Sequence, residues 1–151
     1  MKKYLFLSLA AIVGMLAFTA CGDDEPDINP DNNNGKVEVK KAKFTETANK
    51  MELTYSISVT GTKVTCDVKE TATFEGDECV KYIYEYTYPS ADYAKAAYQE
   101  AIEEQKNDPG DNAVYHQSGK VFTADESASY KGVSKDVIRQ EMKAMEAFYN
   151  K

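Results

Sequence analysis

Few side chains in this sequence could support catalysis by the common routes. His116 is the only histidine among 151 residues, so multi-histidine metal centres and most hydrolase triads are difficult to build. A nucleophilic Cys66 would need His116 as its base. The GxSxG, GxxxxGK and GxGxxG motifs that position nucleophiles or phosphates do not occur. The sequence therefore predicts a protein that is not an enzyme and that holds no cofactor or metal.

Carboxylates leave one route to catalysis open, because a glycosidase needs only two facing acids. Glu103 and Glu104 are neighbours in a predicted helix, where successive side chains point about 100° apart and do not form a pair. Acids from elsewhere in the chain could still meet in the fold. A hydrolase that uses acidic residues therefore stays an alternative.

Calcium binding would be another use of the acids. Asp27, Asn29, Asp31 and Glu38 fall at positions 1, 3, 5 and 12 of an EF-hand-like loop. Position 6, where the sharp turn needs glycine, is Asn32, and neither flank shows a helical pattern. The ligand spacing fits, but the scaffold that would hold it is missing, so no metal site is predicted here.

Cys21, the first of the three cysteines, ends a distinctive N-terminal segment. Lys2 and Lys3 precede an apolar run over Tyr4–Ala20, which is the pattern of a secretory signal peptide. The run closes with Phe18-Thr19-Ala20-Cys21, which resembles the cleavage box of bacterial lipoproteins, although that family more often has leucine in place of the phenylalanine. The resemblance implies that residues 1–20 are removed and that Cys21 carries acyl chains such as palmitate. A retained transmembrane helix is the alternative, but ~17 residues is at the short limit of a span and no basic flank follows.

Residues Cys21–Gly35 are predicted to be a flexible acidic tether. The segment is rich in Pro, Asn, Asp and Gly, and Ile28 is its only aliphatic side chain, so it cannot bury enough apolar surface to offset the entropy of ordering. Its Asp23-Asp24-Glu25 run resembles a surface-export tag of lipoproteins in some Gram-negative bacteria, with plain solubilising charge as the alternative. The residue directly after Cys21 is Gly22, and not the aspartate at that position that resembles an inner-membrane retention signal of lipoproteins. The expected location is the outer membrane, facing outward.

The charge balance argues against nucleic-acid binding. The whole chain has a formal charge of −7, and removal of residues 1–20 takes away two lysines and no acid, which leaves −9. A phosphate backbone would be repelled by this charge, and no basic run offsets it. The expected partners are the membrane, reached through the lipid, and an envelope protein or extracellular ligand.

Residues 36–151 are predicted to form one domain that begins with four strands. Valines alternate with charges at the start, then Ala42 and Phe44 take the opposite parity, which predicts a bulge near Lys40-Lys41. A turn at Gly61-Thr62 would set Tyr55 opposite Val68 and Ile57 opposite Cys66. The cleanest alternation in the chain comprises Met51, Leu53, Tyr55, Ile57 and Val59.

The fourth strand carries an unusual tyrosine stripe, defined as Tyr82, Tyr84, Tyr86 and Tyr88, with Val80 on the same parity. The four rings could form a stacking platform for a sugar or peptide ligand. Packing beneath the helices is the other interpretation, and it is favoured because aromatic residues at strand spacing usually mark the buried face. The tyrosine stripe is thus a possible ligand face that we expect to be mostly covered.

Two helices and a hairpin complete the predicted fold. Ser90 caps a helix that ends at Asn107, and Ser134 caps a final helix that ends at Tyr149. A hairpin turn at Ser118-Gly119 would set Tyr115 opposite Phe122. The fold class is α+β, an antiparallel sheet made of a four-strand meander and a C-terminal hairpin, packed by two helices. The last helix is predicted to face the core with Val137, Ile138, Met142, Met145, Phe148 and Tyr149.

The order of elements is also similar to that of small YehR-like bacterial lipoproteins of unknown function. The similarity covers the signal segment and the run of elements, and it implies no functional residue. We therefore expect a non-catalytic, lipid-anchored binding or assembly module of the cell envelope, with a small secreted inhibitor or sequestering protein acting on a hydrolase as the alternative. The ligand, the partner and the oligomeric state stay open.

Cys66 and Cys79 lie in a compartment where disulfides persist. A Glu75-Gly76-Asp77 connection between the third and fourth strands would point the two cysteines to opposite sides of the sheet. A Glu75-Gly76 connection would put them on one face but ~20 Å apart, which is too far for a disulfide. The sequence therefore predicts two free thiols, with Cys66 in the core, unless the loop between the strands is long and irregular.

Overall fold

The computed structural model describes residues 37–59 and 65–151. In this part of the chain, six strands form one antiparallel sheet in the order β1-β2-β3-β4-β6-β5. Two longer helices and one short helix complete the α+β fold, as predicted. The strands are β1 Val37–Glu46, β2 Lys50–Val59, β3 Thr65–Glu75, β4 Glu78–Thr87, β5 Val114–Ser118 and β6 Val121–Asp125. The helices are α1 Ala91–Asn107, α2 Ser127–Tyr130 and α3 Lys135–Tyr149.

The helices cover one face of the sheet, and the alternation along each strand decides which face that is. In β3 the side chains at even positions from Cys66 to Phe74 are buried, while those at odd positions are exposed or half-buried. Helix α1 packs on β5 and β6, α2 on β4, and α3 on β1 and β2. The opposite face is lined mainly by polar side chains, an arrangement that an antiparallel sheet tolerates because one of its faces can meet water.

Both long helices begin and end where the sequence predicts. The Ser90 hydroxyl accepts a hydrogen bond from the Tyr93 N–H, and the Ser134 hydroxyl accepts one from the Val137 N–H. Helix α1 buries three alanines, whose small side chains let it lie close to the sheet. The short α2 lies within the stretch 125–132, which the sequence pattern does not assign. None of the described helices is long and apolar enough to span a membrane.

The core-facing stripe predicted for α3 is too wide. Ile138, Met142 and Tyr149 are buried, but Val137 and Phe148 are exposed. At 100° per residue, Val137 and Phe148 lie about 100–120° from the centre of the buried arc. Because α3 lies along the edge of the sheet, that flank of the helix faces solvent.

Strand β1 forms one edge of the sheet and contains the predicted bulge. Its pairing with β2 shifts between Lys40 and Lys43, and Lys41 has a φ of 61°. The α3 helix covers part of the exposed edge: the Asn150 amide donates to the Ala42 carbonyl oxygen over 2.8 Å and accepts from the Ala42 N–H over 3.1 Å. Side-chain bonds to an edge strand block pairing with other chains.

The pairing of β2 with β3 is the predicted one. Tyr55 faces Val68 and Ile57 faces Cys66. The predicted turn at 61–62 lies outside the described residues.

The pairing of β3 with β4 differs from both predicted registers. The turn is Gly76-Asp77, with Gly76 at a φ of 62°, and the pairing then shifts so that Phe74 faces Cys79 while Thr73 faces Lys81. This bulge leaves Val80 without a partner on β3 and turns it to the exposed side, so its predicted place beside the tyrosine stripe is wrong.

The bulge also puts both cysteines on the buried face. Cys66 and Cys79 are buried free thiols. Cys66 lies on β3 eight residues before Phe74, which faces Cys79, so the two cysteines are ~26 Å apart along the sheet. This separation is far beyond the reach of a disulfide.

The β5–β6 hairpin is shifted by two residues from the predicted pairing. Ser118 faces Val121, so the turn is Gly119-Lys120, and Phe122 faces Gln117 instead of Tyr115. The aromatic contact survives diagonally, because the rings of Tyr115 and Phe122 stack with their centroids 5.8 Å apart.

Candidate functional site

The tyrosine stripe lies in the core, as predicted. Its four side chains are between 2 and 9% exposed. The Tyr82 ring stacks on Tyr130 of α2 with centroids 3.8 Å apart, and the Tyr86 ring stacks on Phe122 of β6 at 5.5 Å. The rings therefore contribute to the packing of the sheet against its cover and do not form an open surface.

A buried carboxyl group, Glu70 of β3, lies among these rings. Its side chain is 1% exposed. The Tyr55 hydroxyl donates to one carboxyl oxygen over 2.8 Å, and the Tyr82 hydroxyl donates to the other over 3.0 Å. The three residues come from β2, β3 and β4, so this polar contact joins three adjacent strands through the core. The sequence carried a signal for it, because Glu70 has the same parity as Cys66 in β3.

The electrostatics of this cluster follow from its burial. Removal from water raises the pKa of Glu70 to about 7, and the nearby Glu141 carboxylate of α3 acts in the same direction, while the two tyrosine hydrogen bonds oppose the shift. Burial, together with the charge of Glu70, also raises the pKa of Tyr55 and Tyr82 well above the usual value. Both phenols therefore stay protonated and act as donors to Glu70.

Neither cysteine has the environment of a nucleophile. Burial raises the pKa of Cys66 to about 12, although a hydrogen bond with Tyr88 acts against the shift. Burial also raises the pKa of Cys79. A thiol that stays protonated and covered is a poor nucleophile. His116, the base that Cys66 would need, lies exposed on β5, outside the core that holds Cys66.

We therefore expect two thiols per chain in the Cys21→Ser protein, both protected until unfolding. With a thiol-specific alkylating reagent, the native protein should react slowly and the denatured, unreduced protein should react at two sites, because both side chains are covered in the fold. A denatured protein without any reactive thiol would show that Cys66 and Cys79 are joined, and would contradict the register described above.

The candidate binding surface lies at the β1 edge of the sheet. A groove of about 610 Å³ separates the first half of β1 from the end of α3, and we call it the β1–α3 groove. Phe148 projects from α3 here and is 68% exposed, although the sequence pattern predicts it in the core. The groove is lined by Glu38, Val39, Lys40, Lys41, Phe148, Tyr149, Asn150 and Lys151.

Local contacts hold the two walls of the groove in place. Besides the paired hydrogen bonds between Asn150 and Ala42, the Glu146 carboxylate accepts a bond from the Phe44 N–H over 2.7 Å. The ring of Tyr149 also packs against the buried ring of Tyr55 in β2, with their centroids 4.9 Å apart. The end of α3 is therefore fixed on the edge strand, and the groove is part of the folded structure.

The groove is mainly basic. Among its described lining residues, three are lysines and one is acidic; Lys40 forms an ion pair with Glu38 over 2.6 Å. Lys143 of α3 lies five residues before Phe148, and its Nζ is 5.5 Å from the centre of the Phe44 ring. The lining residues therefore have a formal side-chain charge of +2, on a domain that is acidic overall.

Of the remaining candidates, the two acids of α1 lie apart from this groove, and Glu38, the last position of the EF-hand-like spacing, is part of its lining. Glu103 and Glu104 are exposed on α1. Cys21 and the residues 27–31 of the EF-hand-like spacing lie outside the described residues. Within residues 37–59 and 65–151, no three His, Cys, Asp or Glu side chains are grouped so that they could hold a metal ion.

Comparison with protein-family models, curated proteins and solved structures finds no match to this chain. Its function must therefore be inferred from its own residues. Two features are available for that inference: the N-terminal segment that ends at Cys21 and the β1–α3 groove.

Proposed function

We propose that this protein is a non-catalytic binding or assembly module of the bacterial cell envelope. Acyl chains on Cys21 hold it at the outer membrane, it faces outward, and the β1–α3 groove is its binding surface. The anchor is supported by the order of the N-terminal residues: two lysines come first, an apolar run follows, and Cys21 supplies a thiol that can be acylated. The acidic residues after Cys21 support the outward orientation.

The observation that carries the binding role is the exposure of Phe148 beside three lysines in a groove with fixed walls. Because Phe148 is 68% exposed, it adds little to the packing of the domain beyond the edge contact of its ring with Tyr149, whose centroid is 5.8 Å away. Combined with the cationic rim, it forms the mixed apolar and charged surface that is typical of a binding site. The tyrosine stripe, which the sequence suggested as a possible ligand face, lies in the core.

Replacement of the acylated residue is expected to release the protein from the membrane. Cys21→Ser removes the thiol that would be acylated, so the variant should move from the membrane fraction to the soluble fraction or remain as uncleaved precursor. Immunoblotting of fractionated cells measures the change, with Cys66→Ser as the control that keeps the anchor. A Cys21→Ser protein that stays membrane-bound at the wild-type level would refute the lipid anchor.

The alternative, an inhibitor or sequestering protein that acts on a hydrolase, makes a different prediction. A pull-down from detergent-solubilised envelope should yield a membrane complex if the protein is an assembly module, and a soluble enzyme if it is an inhibitor. If a protein partner occupies the β1–α3 groove, Phe148→Asp should abolish specific capture, whereas Val114→Asp should not. Val114 is a matched control because it is also 68% exposed and lies on β5, the other edge of the sheet.

A further inference from the structure

We infer that the β1–α3 groove binds the phosphate-bearing headgroups of an anionic lipid surface, so that the domain rests on the membrane with this edge. The inference rests on the lipid anchor proposed above and names the partner of the same groove. It gives the lysines and Phe148 one binding role. It also implies that the β5 edge of the sheet points away from the membrane.

The first argument is the position of the groove along the chain. One wall of the groove is formed by Glu38–Lys41, which directly follow the start of β1 at Val37. Only the residues from Cys21 to Lys36 separate an acyl chain on Cys21 from that strand, a distance of at most ~50–60 Å even when fully extended. An anchored domain therefore has a lipid surface within reach of this edge.

The second argument is the chemistry of the outward face of α3. Ala144, Ala147 and Phe148 are exposed on α3, and the exposed Lys151 follows the end of the helix. A helix face that combines exposed apolar side chains with lysines is suited to the boundary between headgroups and acyl chains. Lysines can lay their aliphatic stems along such a surface and extend their charges to phosphates.

The third argument is the uneven distribution of charge. Residues 37–151 contain 15 basic and 20 acidic side chains, a formal charge of −5, so an anionic surface repels most of the domain. The β1–α3 groove has the opposite sign, because three lysines and one acid line it and the Lys40–Glu38 ion pair leaves a formal side-chain charge of +2. The same net charge disfavours a second copy of this acidic chain as the occupant. Attraction at one edge and repulsion elsewhere would orient the domain on the membrane.

The experiment exploits the absence of tryptophan from the sequence. Phe148→Trp introduces one reporter in the groove, and Val114→Trp introduces one with the same native exposure on the opposite edge. Each acylated variant, which begins at Cys21, is inserted into phosphatidylglycerol vesicles that contain brominated lipid, which quenches tryptophan at the membrane surface. We expect a blue-shifted and strongly quenched emission for Phe148→Trp, and a solvent-like, unquenched emission for Val114→Trp.

Removal of lysine charge should weaken this contact. Lys41→Gln or Lys151→Gln in the Phe148→Trp background is expected to lower the equilibrium constant for groove contact by about fivefold each. Lys95→Gln, an exposed position on α1, should leave it unchanged. High salt should act like the groove substitutions, because the lysine contribution is electrostatic.

The possible results separate this inference from the proposed anchor. If the wild-type chain fails to insert into vesicles, the lipid anchor itself fails. If the chain inserts but Phe148→Trp is quenched no more than Val114→Trp, the membrane contact is refuted and the anchor stands. Equal quenching in phosphatidylcholine vesicles would refute recognition of anionic headgroups. A blue shift that is already present without vesicles would show that protein, either this chain's own tether or a second copy, covers the groove.

Discussion

Glu70→Gln is expected to stabilise the protein above pH 7 and to remove most of the pH dependence of its stability between pH 4.5 and 7. Burial raises the pKa of Glu70 from 4.5 to about 7, so the folded protein binds this proton more tightly than the unfolded chain does. The contribution of a neutral Glu70 is fully present below pH 4.5 and is lost as the pH rises through about 7. At about 1.4 kcal/mol per pKa unit, the loss is ~3 kcal/mol.

Glutamine mimics the protonated carboxyl group at every pH, so the variant avoids the cost of a buried charge. It can still accept the hydrogen bond from Tyr55 or Tyr82. The phenols beside Glu70 do not replace it in this range, because burial raises their pKa values further above it. Chemical denaturation across the pH range measures the effect.

Glu104→Gln is the matched control, because Glu104 is exposed on α1. It should leave the stability within about 0.5 kcal/mol of the wild type. A Glu70→Gln protein that is less stable than the wild type above pH 7, with an unchanged pH profile, would show that the ionised carboxylate is well stabilised in the core and that the pKa of Glu70 is not raised.

Ile138→Ala is expected to lower the free energy of unfolding by about 2–5 kcal/mol. Ile138 is completely buried at the centre of the α3 face that packs on the sheet. Its truncation leaves a cavity beneath the helix that also supplies one wall of the β1–α3 groove. The loss is large compared with the 5–15 kcal/mol that stabilise a typical domain.

Val137→Ala, one residue earlier on the same helix, is the control for this prediction. Val137 is 41% exposed, so the same kind of truncation should cost no more than about 0.5 kcal/mol. Urea titrations of the two variants compare them directly. Equal losses would mean that α3 is not docked through Ile138, and the position of the groove wall would need to be revised.

The sequence predicted those parts of the fold in which local pattern and tertiary contact agree. The expected turn at Gly61-Thr62, together with the alternation of apolar residues along β2, gave the observed pairing of Tyr55 with Val68. Alternation also revealed the bulge near Lys41, because the parity of the apolar residues changes there. The helix caps at Ser90 and Ser134 were equally local, since a side chain bonds to the backbone three residues on.

The errors arose where the outcome depends on neighbours that are distant in sequence. The extra residue at Val80 follows from how β4 meets β3 after a two-residue turn, and either of two turn lengths was compatible with the sequence. Phe148 fits a helical core stripe, but whether the flank of α3 is covered depends on where the sheet ends. These two errors hid the register of the cysteines and the binding groove.

Glu70 shows a third limit. An acidic side chain is normally assigned to the surface, because an isolated buried charge is costly. Its burial becomes tolerable only when the hydroxyls of Tyr55 and Tyr82, from the two flanking strands, meet the carboxyl group. Parity pointed to the core and residue type pointed to water, and only the three-strand arrangement decides between them.

The most direct test of the proposed function is the mass of the N-terminal peptide of the protein purified from membranes. The lipid-anchored module requires a peptide that begins at Cys21 and carries acyl chains on that residue. A peptide that retains residues 1–20, or a membrane-bound protein whose Cys21 is unmodified, would contradict it.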